Sequence, residues 1–209
     1  MSNDPKEIVR EGYDSMADRF LAWRGDIAGS EEAQWVDDLL GRLPFEPVVL
    51  ELGCGAGSYA TKVLSEQGDL VGVDISAEQV RRARERHSGA RFIAADCTEL
   101  VLEPESFDAV VSVYVLNHVP RADLPLLLES IGGWLKPGGY FLGSFGRSGG
   151  EGVEEDWLGV PMFFGSYTEP ENRELVEAAG LGIERDETIA IIEPEYGQAR
   201  FQWMLARRS

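Results

Sequence analysis

Positive charge is scarce in this chain. Its 209 residues include 19 Lys and Arg against 37 Asp and Glu, a formal net charge of -18. Such a surface repels phosphate backbones, which argues against DNA or RNA as a partner unless the fold hides a basic patch. The densest basic cluster, Arg81, Arg82, Arg84 and Arg86, is interrupted by Glu85 and reads as a solvated helix face. Cysteine is almost missing. Cys54 and Cys97 have no framework spacing, so a disulfide scaffold is excluded and a reduced, cytoplasmic setting is expected. Histidine is equally rare, with only His87 and His118, so a zinc site lacks ligands and no metal is expected. There is no apolar run long enough to span a bilayer, and no secretory signal or lipidation motif, so no membrane partner is expected. No internal repeat is evident. The length suits one domain with a substantial core.

Against these absences, Val48-Val49-Leu50-Glu51-Leu52-Gly53-Cys54-Gly55-Ala56-Gly57 is the most informative stretch. A short unbroken apolar run is what a strand buried on both faces looks like. It ends in an acid and then three glycines at alternate positions. Glycine admits positive φ and removes the Cβ that would keep a ligand at a distance. Ser58 to Gln67 reads as a helix whose free N–H groups face whatever lies over the turn. These features point to a nucleotide-type cofactor. A dinucleotide fingerprint wants glycines at the first, third and sixth positions. Here the third glycine comes at the fifth.

The Glu-Leu-Gly-Cys-Gly-Ala-Gly string closely resembles the first motif of the class I S-adenosylmethionine-dependent methyltransferases. Four further segments follow in the order of that family. Leu70-Val71-Gly72-Val73-Asp74-Ile75-Ser76 is a second buried strand whose acid lies 21 residues after Gly53. A carboxylate there can accept hydrogen bonds from both ribose hydroxyls. Ser76 with Gln79 predicts a capping box and a helix running through Arg81 to His87. Ala90 to Cys97 is a third strand, and the resemblance implies that Asp96 takes the adenine amino group. Phe107 to Val119 looks like the fourth-strand motif, which passes under the methionine portion of the cofactor. In Trp134-Leu135-Lys136-Pro137-Gly138-Gly139-Tyr140 a helix ends, the chain turns and a fifth strand begins. Tyr13-Asp14-Ser15-Met16-Ala17 resembles the family's helix that closes over the cofactor. The motifs cover roughly residues 10–145.

Alternating strands and helices imply an α/β fold, a Rossmann-like seven-stranded and mostly parallel sheet with helices on both faces. The first 45 residues predict two helices, 4–22 and 30–41, taken as a lid. Residues 146–168 are too irregular for a strand or helix and too apolar for a solvated linker, and are taken as a substrate cap. A helix over Glu169–Ala179 is followed by two strands, 183–192 and 199–207, around Pro194-Glu195-Tyr196-Gly197. In the family that hairpin puts the last strand antiparallel in the sheet.

The resemblance implies S-adenosylmethionine as cofactor. Its candidate ligands are Tyr13, Glu51, Gly53, Cys54, Gly55, Gly57, Asp74, Ile75, Asp96, Cys97 and Val113. Trp23, Trp157, Phe163, Phe164 and Tyr167 are candidates for the acceptor pocket. His118 is the candidate general base, and packing as a structural residue is the preferred alternative. Tyr13 is either a lid residue on the cofactor's carboxylate or a core aromatic. Glu193 and Glu195 read as solvent-exposed. The expected reaction is methyl transfer to oxygen, carboxylate or hydroxyl, of a small, largely apolar molecule of the natural-product kind. The alternatives are nitrogen methylation of an amine, and a cofactor-binding protein without turnover.

Overall fold

The computed structural model describes residues 4–25, 30–193 and 196–209. The chain opens with helices α1 (Pro5–Ser15), α2 (Ala17–Gly25) and α3 (Ser30–Leu40). It then alternates β1 (Val48–Leu52), α4 (Tyr59–Gln67), β2 (Asp69–Asp74), α5 (Ala77–Arg86), β3 (Arg91–Ala94) and β4 (Phe107–Ser112). After β4 come α6 (Leu124–Trp134), β5 (Leu135–Phe145), the hairpin β6 (Glu151–Trp157) and β7 (Val160–Gly165), α7 (Glu169–Ala178), β8 (Leu181–Glu193) and β9 (Gly197–Arg208).

Among the described residues the main sheet has seven strands in the order β3-β2-β1-β4-β5-β9-β8. The pairings from β3 to β5 are parallel, and β9 enters antiparallel between β5 and β8. Both faces are covered, which is why the strand sequences are continuous apolar runs. In β1, Leu50 and Leu52 join a core with α6 and α7, while Val49 joins a second core with Trp35, Leu39 and Leu64 of α3 and α4. The strand order reverses between β1 and β4. That is the topological switch point where open α/β sheets leave a crevice at their carboxyl ends.

Several local expectations are corrected. The first helix is broken at Met16, where the Ser15 hydroxyl donates back to the Gly12 carbonyl and competes with the helical ladder. At the start of α5, Ser76 Oγ accepts from Gln79 N, but the Gln79 side chain does not return the bond. Instead the Ser76 backbone N–H donates to Asp74 at 2.9 Å. Lys136-Pro137-Gly138-Gly139 lies inside β5 as an irregularity. Phe107 pairs with Leu135 and Ala109 with Tyr140, so the extra residues bulge out, with Gly138 at φ 80°. The 146–168 segment is not irregular, since β6 and β7 pair antiparallel around Leu158 and Gly159, both at positive φ. Its strand period was hidden because residues 151–156 are all exposed and carry no apolar alternation. β8 and β9 are longer than expected, and Pro194 and Glu195 of their connection lie outside the described residues.

Candidate active site

The crevice over β1, β2, β3 and β4 is a cavity whose floor is the glycine loop. Gly53, at φ +71°, sits where any Cβ would strike Val115, so the loop passes close beneath the chain leaving β4. Gly55, at φ +54°, is the opposite case. Its missing Cβ opens onto the cavity, with Gln79 Oε1 at 4.0 Å as the nearest atom. That cradle, which a side chain would fill, is the backbone approach a bound nucleoside requires. Ser58 caps α4 in a full capping box with Thr61. Both hydroxyls also donate to Glu51 Oε1, at 3.1 and 2.9 Å. Glu51 Oε2 is buried with no protein partner. Burial pushes the Glu51 carboxyl up to about 7, and nearby Glu32 and Asp74 add to the rise.

Asp74 accepts from Gly55 N at 2.8 Å through one oxygen and from Ser76 N through the other, which ties the glycine loop to the end of β2. Burial raises its carboxyl to about 6 despite those two bonds. At the end of β3, Asp96 Oδ1 accepts from the Thr98 backbone N–H and hydroxyl, and Oδ2 forms an ion pair with Lys6 Nζ at 2.9 Å. Cys54, Gly57, Ile75, Cys97 and Val113 complete the same cavity wall. The Cys97 thiol is pushed up to about 12 by burial, and Cys54 is raised further, so both stay protonated packing groups. The buried acids, the open glycine cradle and an unpartnered carboxylate oxygen fit a cationic nucleoside cofactor of the expected kind. Among the described residues no group of three or more His, Cys, Asp or Glu could hold a metal ion.

A second cavity, of about 680 Å³, lies outside the first. It is within the roughly 300–1,000 Å³ range of small-molecule sites. Trp23, Trp157 and Phe164 line it, with Phe201, Tyr196 and the polar Asn117, Ser148, Glu151, Glu154, Arg147 and Arg200. Tyr13, Phe20, Tyr114 and His118 border both cavities and form the neck between them. Rings crowd that neck. Tyr13 meets Phe20 edge to face at 5.0 Å, and His118 lies 4.9 Å from Phe164. Phe163 and Tyr167 line neither cavity. The Phe163 ring joins the core between α1 and the hairpin, and the Tyr167 hydroxyl donates to the Arg121 carbonyl.

His118 is bonded at both nitrogens, Nδ1 to the Phe163 carbonyl and Nε2 to the Tyr13 hydroxyl, each at 2.9 Å. Burial lowers its pKa to about 4, so it is neutral near pH 7. Tyr13 and His118, read separately in the sequence, are brought together as a hydrogen-bonded pair.

Sequence reasoning missed Lys6, Phe20, Glu32, Tyr114, Tyr196 and Phe201. Tyr114 carried a usable signal, standing directly after the β4 run. It takes φ +59°, a strained value for a tyrosine, and its N–H donates to Ser144 Oγ at 2.6 Å. The others come from distant segments.

Residues 49–139 match the family described as "Methyltransferase domain". The chain is 33% identical over 163 residues to a 27-O-demethylrifamycin SV methyltransferase of Amycolatopsis mediterranei, covering 68% of this chain and 59% of that one. It is 34% identical over 99 residues to a fatty-acid O-methyltransferase of Mycolicibacterium smegmatis, covering 45% and 35%. The chain therefore spans between about a third and three fifths of the length of these curated relatives. Among solved structures, a Burkholderia thailandensis 1,6-didemethyltoxoflavin-N1-methyltransferase with bound 1,6-didemethyltoxoflavin and S-adenosylhomocysteine superposes with a TM-score of 0.74. It is 25% identical and covers 100% of this chain and 92% of that one. A Synechocystis magnesium protoporphyrin IX methyltransferase shares the fold, with a TM-score of 0.73 at 21% identity and coverage of 100% and 99%.

Proposed function

From a chain that belongs to the class I S-adenosylmethionine-dependent methyltransferases, we propose methyl transfer to an oxygen atom, carboxylate or hydroxyl, of a small and largely apolar acceptor. One observation carries the reading. A crevice lined by the glycine loop, Glu51, Asp74 and Asp96 and a larger, aromatic-lined cavity lie side by side and share Tyr13, Phe20, Tyr114 and His118. When bound, S-adenosylmethionine supplies a methyl group already activated on a sulfonium. The chain's own residues have three tasks: to bind, to align and to exclude water.

Asp74 would hold the ribose and Asp96 the adenine, while Glu51 and the glycine loop would face the amino-acid end. Helices α1 and α2 act as the lid and residues 146–168 as the acceptor cap, whereas α3, whose Trp35 and Leu39 pack into a sheet core, is not part of the lid. Trp23, Trp157 and Phe164 enclose the acceptor and keep water from the neck. A specific feature favours nitrogen methylation as the second reading: Glu151, Glu154 and Glu193 line the outer cavity and would attract an amine.

Calorimetry tests the cofactor site. S-adenosylmethionine should bind the parent, and Asp74→Ala should weaken it at least about tenfold, or about 1.4 kcal/mol. Unchanged affinity would remove Asp74 from the site. Incubation with a panel of phenols, alcohols, carboxylic acids and amines, read by mass spectrometry as gain of one CH2, separates the two acceptor readings. Cofactor binding without any methylated product would leave a binding protein.

A further inference from the structure

Polar groups without partners mark one corner of the outer cavity. Asn117 stands in the 3₁₀ turn Leu116–His118 that follows β4, and it lines the outer cavity but not the cofactor crevice. It is 7% exposed, and its Oδ1 is buried with no hydrogen-bond partner among the described residues. A buried amide oxygen left bare costs free energy that an apolar side chain of similar size would not. With Oδ1 turned into the protein, the edge of the carboxamide left for the cavity carries the Nδ2 protons.

Two serines line the same cavity. The Ser148 and Ser166 hydroxyls share one bond of 2.7 Å, and Ser166 Oγ also accepts from the Ser148 backbone N–H at 3.1 Å. The shared bond uses one of their two hydroxyl protons. The other has no acceptor among the described residues. Gly146 lets these groups come together. A Cβ there would lie 2.7 Å from Ser166 Cβ and 3.4 Å from Asn117 Cβ, so a side chain would drive the two residues apart. The corner thus holds uncharged N–H and O–H donors. Trp157, Phe164 and Phe201 wall the rest of the cavity and suit a flat ring.

We propose that Asn117, Ser148 and Ser166 form a subsite for a carbonyl oxygen of the acceptor, with Asn117 as its specificity-determining residue. A carbonyl oxygen has two lone pairs, one for the Asn117 amide and one for the serine pair. Because Asn117 does not line the cofactor crevice, the carbonyl is a handle held away from the methyl donor, and another atom of the acceptor receives the methyl group. The acceptor class is a flat, neutral ring system bearing a ring carbonyl. A molecule without one would cover these donors and leave them unpaired.

The inference rests on the methyl-transfer reading, and its test is separable from it. The probes are 6-hydroxy-1-tetralone and 5,6,7,8-tetrahydro-2-naphthol, which differ only in the ring carbonyl. Titrated into protein saturated with S-adenosylhomocysteine, the tetralone should bind at least about tenfold more tightly. Asn117→Leu changes little in volume and should bring the two within about twofold by weakening the tetralone alone. Retained S-adenosylhomocysteine binding checks that this variant is intact. The parent supplies a second readout that needs no variant. The infrared C=O stretch of bound tetralone, labelled with carbon-13 at the carbonyl, should fall below its position in an apolar solvent. Equal binding of the two probes, no tetralone binding, a preference that survives in Asn117→Leu, or an unshifted stretch would each overturn the proposal. Failure of the parent to bind S-adenosylhomocysteine would instead overturn the methyl-transfer reading.

Discussion

Glu51 is 3% exposed at the end of β1, with one oxygen satisfied by Ser58 and Thr61 and the other bare. Its folded-state pKa of about 7 lies above the ordinary 4.5. The folded state therefore holds the proton more tightly than the unfolded chain between those values. Glu51 favours folding fully in acid, and that contribution is lost as pH rises towards 7. His118 runs the other way: its depressed pKa makes stability rise between about 4 and the ordinary 6.5. Because both chains keep His118, comparing Glu51→Gln with the parent isolates the glutamate. The variant should gain about 3 kcal/mol relative to the parent between about pH 4 and about pH 8. Denaturant unfolding across that range measures it, and a difference that does not change with pH would contradict the buried-acid assignment.

Helix α1 ties three strand ends together through Lys6 in its first turn and Tyr13 and Asp14 in its last. Lys6 reaches Asp96 at 2.9 Å, Asp123 at 3.2 Å and the Thr98 hydroxyl at 2.6 Å. Tyr13 meets His118 beyond β4. Asp14 accepts from Ser76 Oγ at 2.6 Å and Glu78 N at 3.2 Å, which places a carboxylate at the N-terminus of α5. Met162 of β7 closes on Gly12, where a Cβ would lie 2.7 Å from its terminal methyl. The helix is fastened at both ends and along one face. Lys6→Ala removes one fastening and leaves Asp96 and Asp123 facing each other without their cation. It should cost about 1–2 kcal/mol of stability, since the ammonium is partly screened by solvent. It should also weaken S-adenosylmethionine binding about three- to tenfold by calorimetry. Unaltered affinity would mean that the Lys6 end of α1 has no part in closing the crevice.

At the scale of the molecule, the two largest cores share the central sheet, a small cluster packs α5 on β3, and a third sizeable one belongs to α1, α2 and the β6–β7 hairpin. Trp35 and Trp203 lie 5.7 Å apart in one of the sheet cores. The third cluster, built on Val9, Met16, Trp157, Met162 and Phe163, contains no residue of the sheet strands β1, β4, β5 or β9. Elements with few contacts to the main core open at lower free energy than the core itself. Amide exchange should therefore show α1, α2 and the hairpin opening together, with protection at least about tenfold below β1 and β4. S-adenosylmethionine should raise protection in the helices and hairpin, and in the central strands too where they exchange by global unfolding. Equal protection throughout would make the whole chain one cooperative unit.

The strand ends and the glycine loop were legible in the sequence because each is a contiguous signal. A strand buried on both faces reads as an apolar run, and a parallel sheet brings the acids that follow such runs to one edge. Glu51, Asp74 and Asp96 needed no knowledge of distant residues. Other features depended on segments far apart in the chain. Lys6 meets Asp96 across 90 residues, and Tyr13 meets His118 across 105. Residues 151–156 hid a strand because all of them face solvent. Phe163 and Tyr167 were placed by composition alone, which cannot say which way a ring points. At the neck, the tertiary structure decided which nitrogen of His118 carries the proton. The proton on His118 is located by a carbonyl 45 residues away, and a hydrogen-bond direction set by one distant group has no period or spacing to betray it.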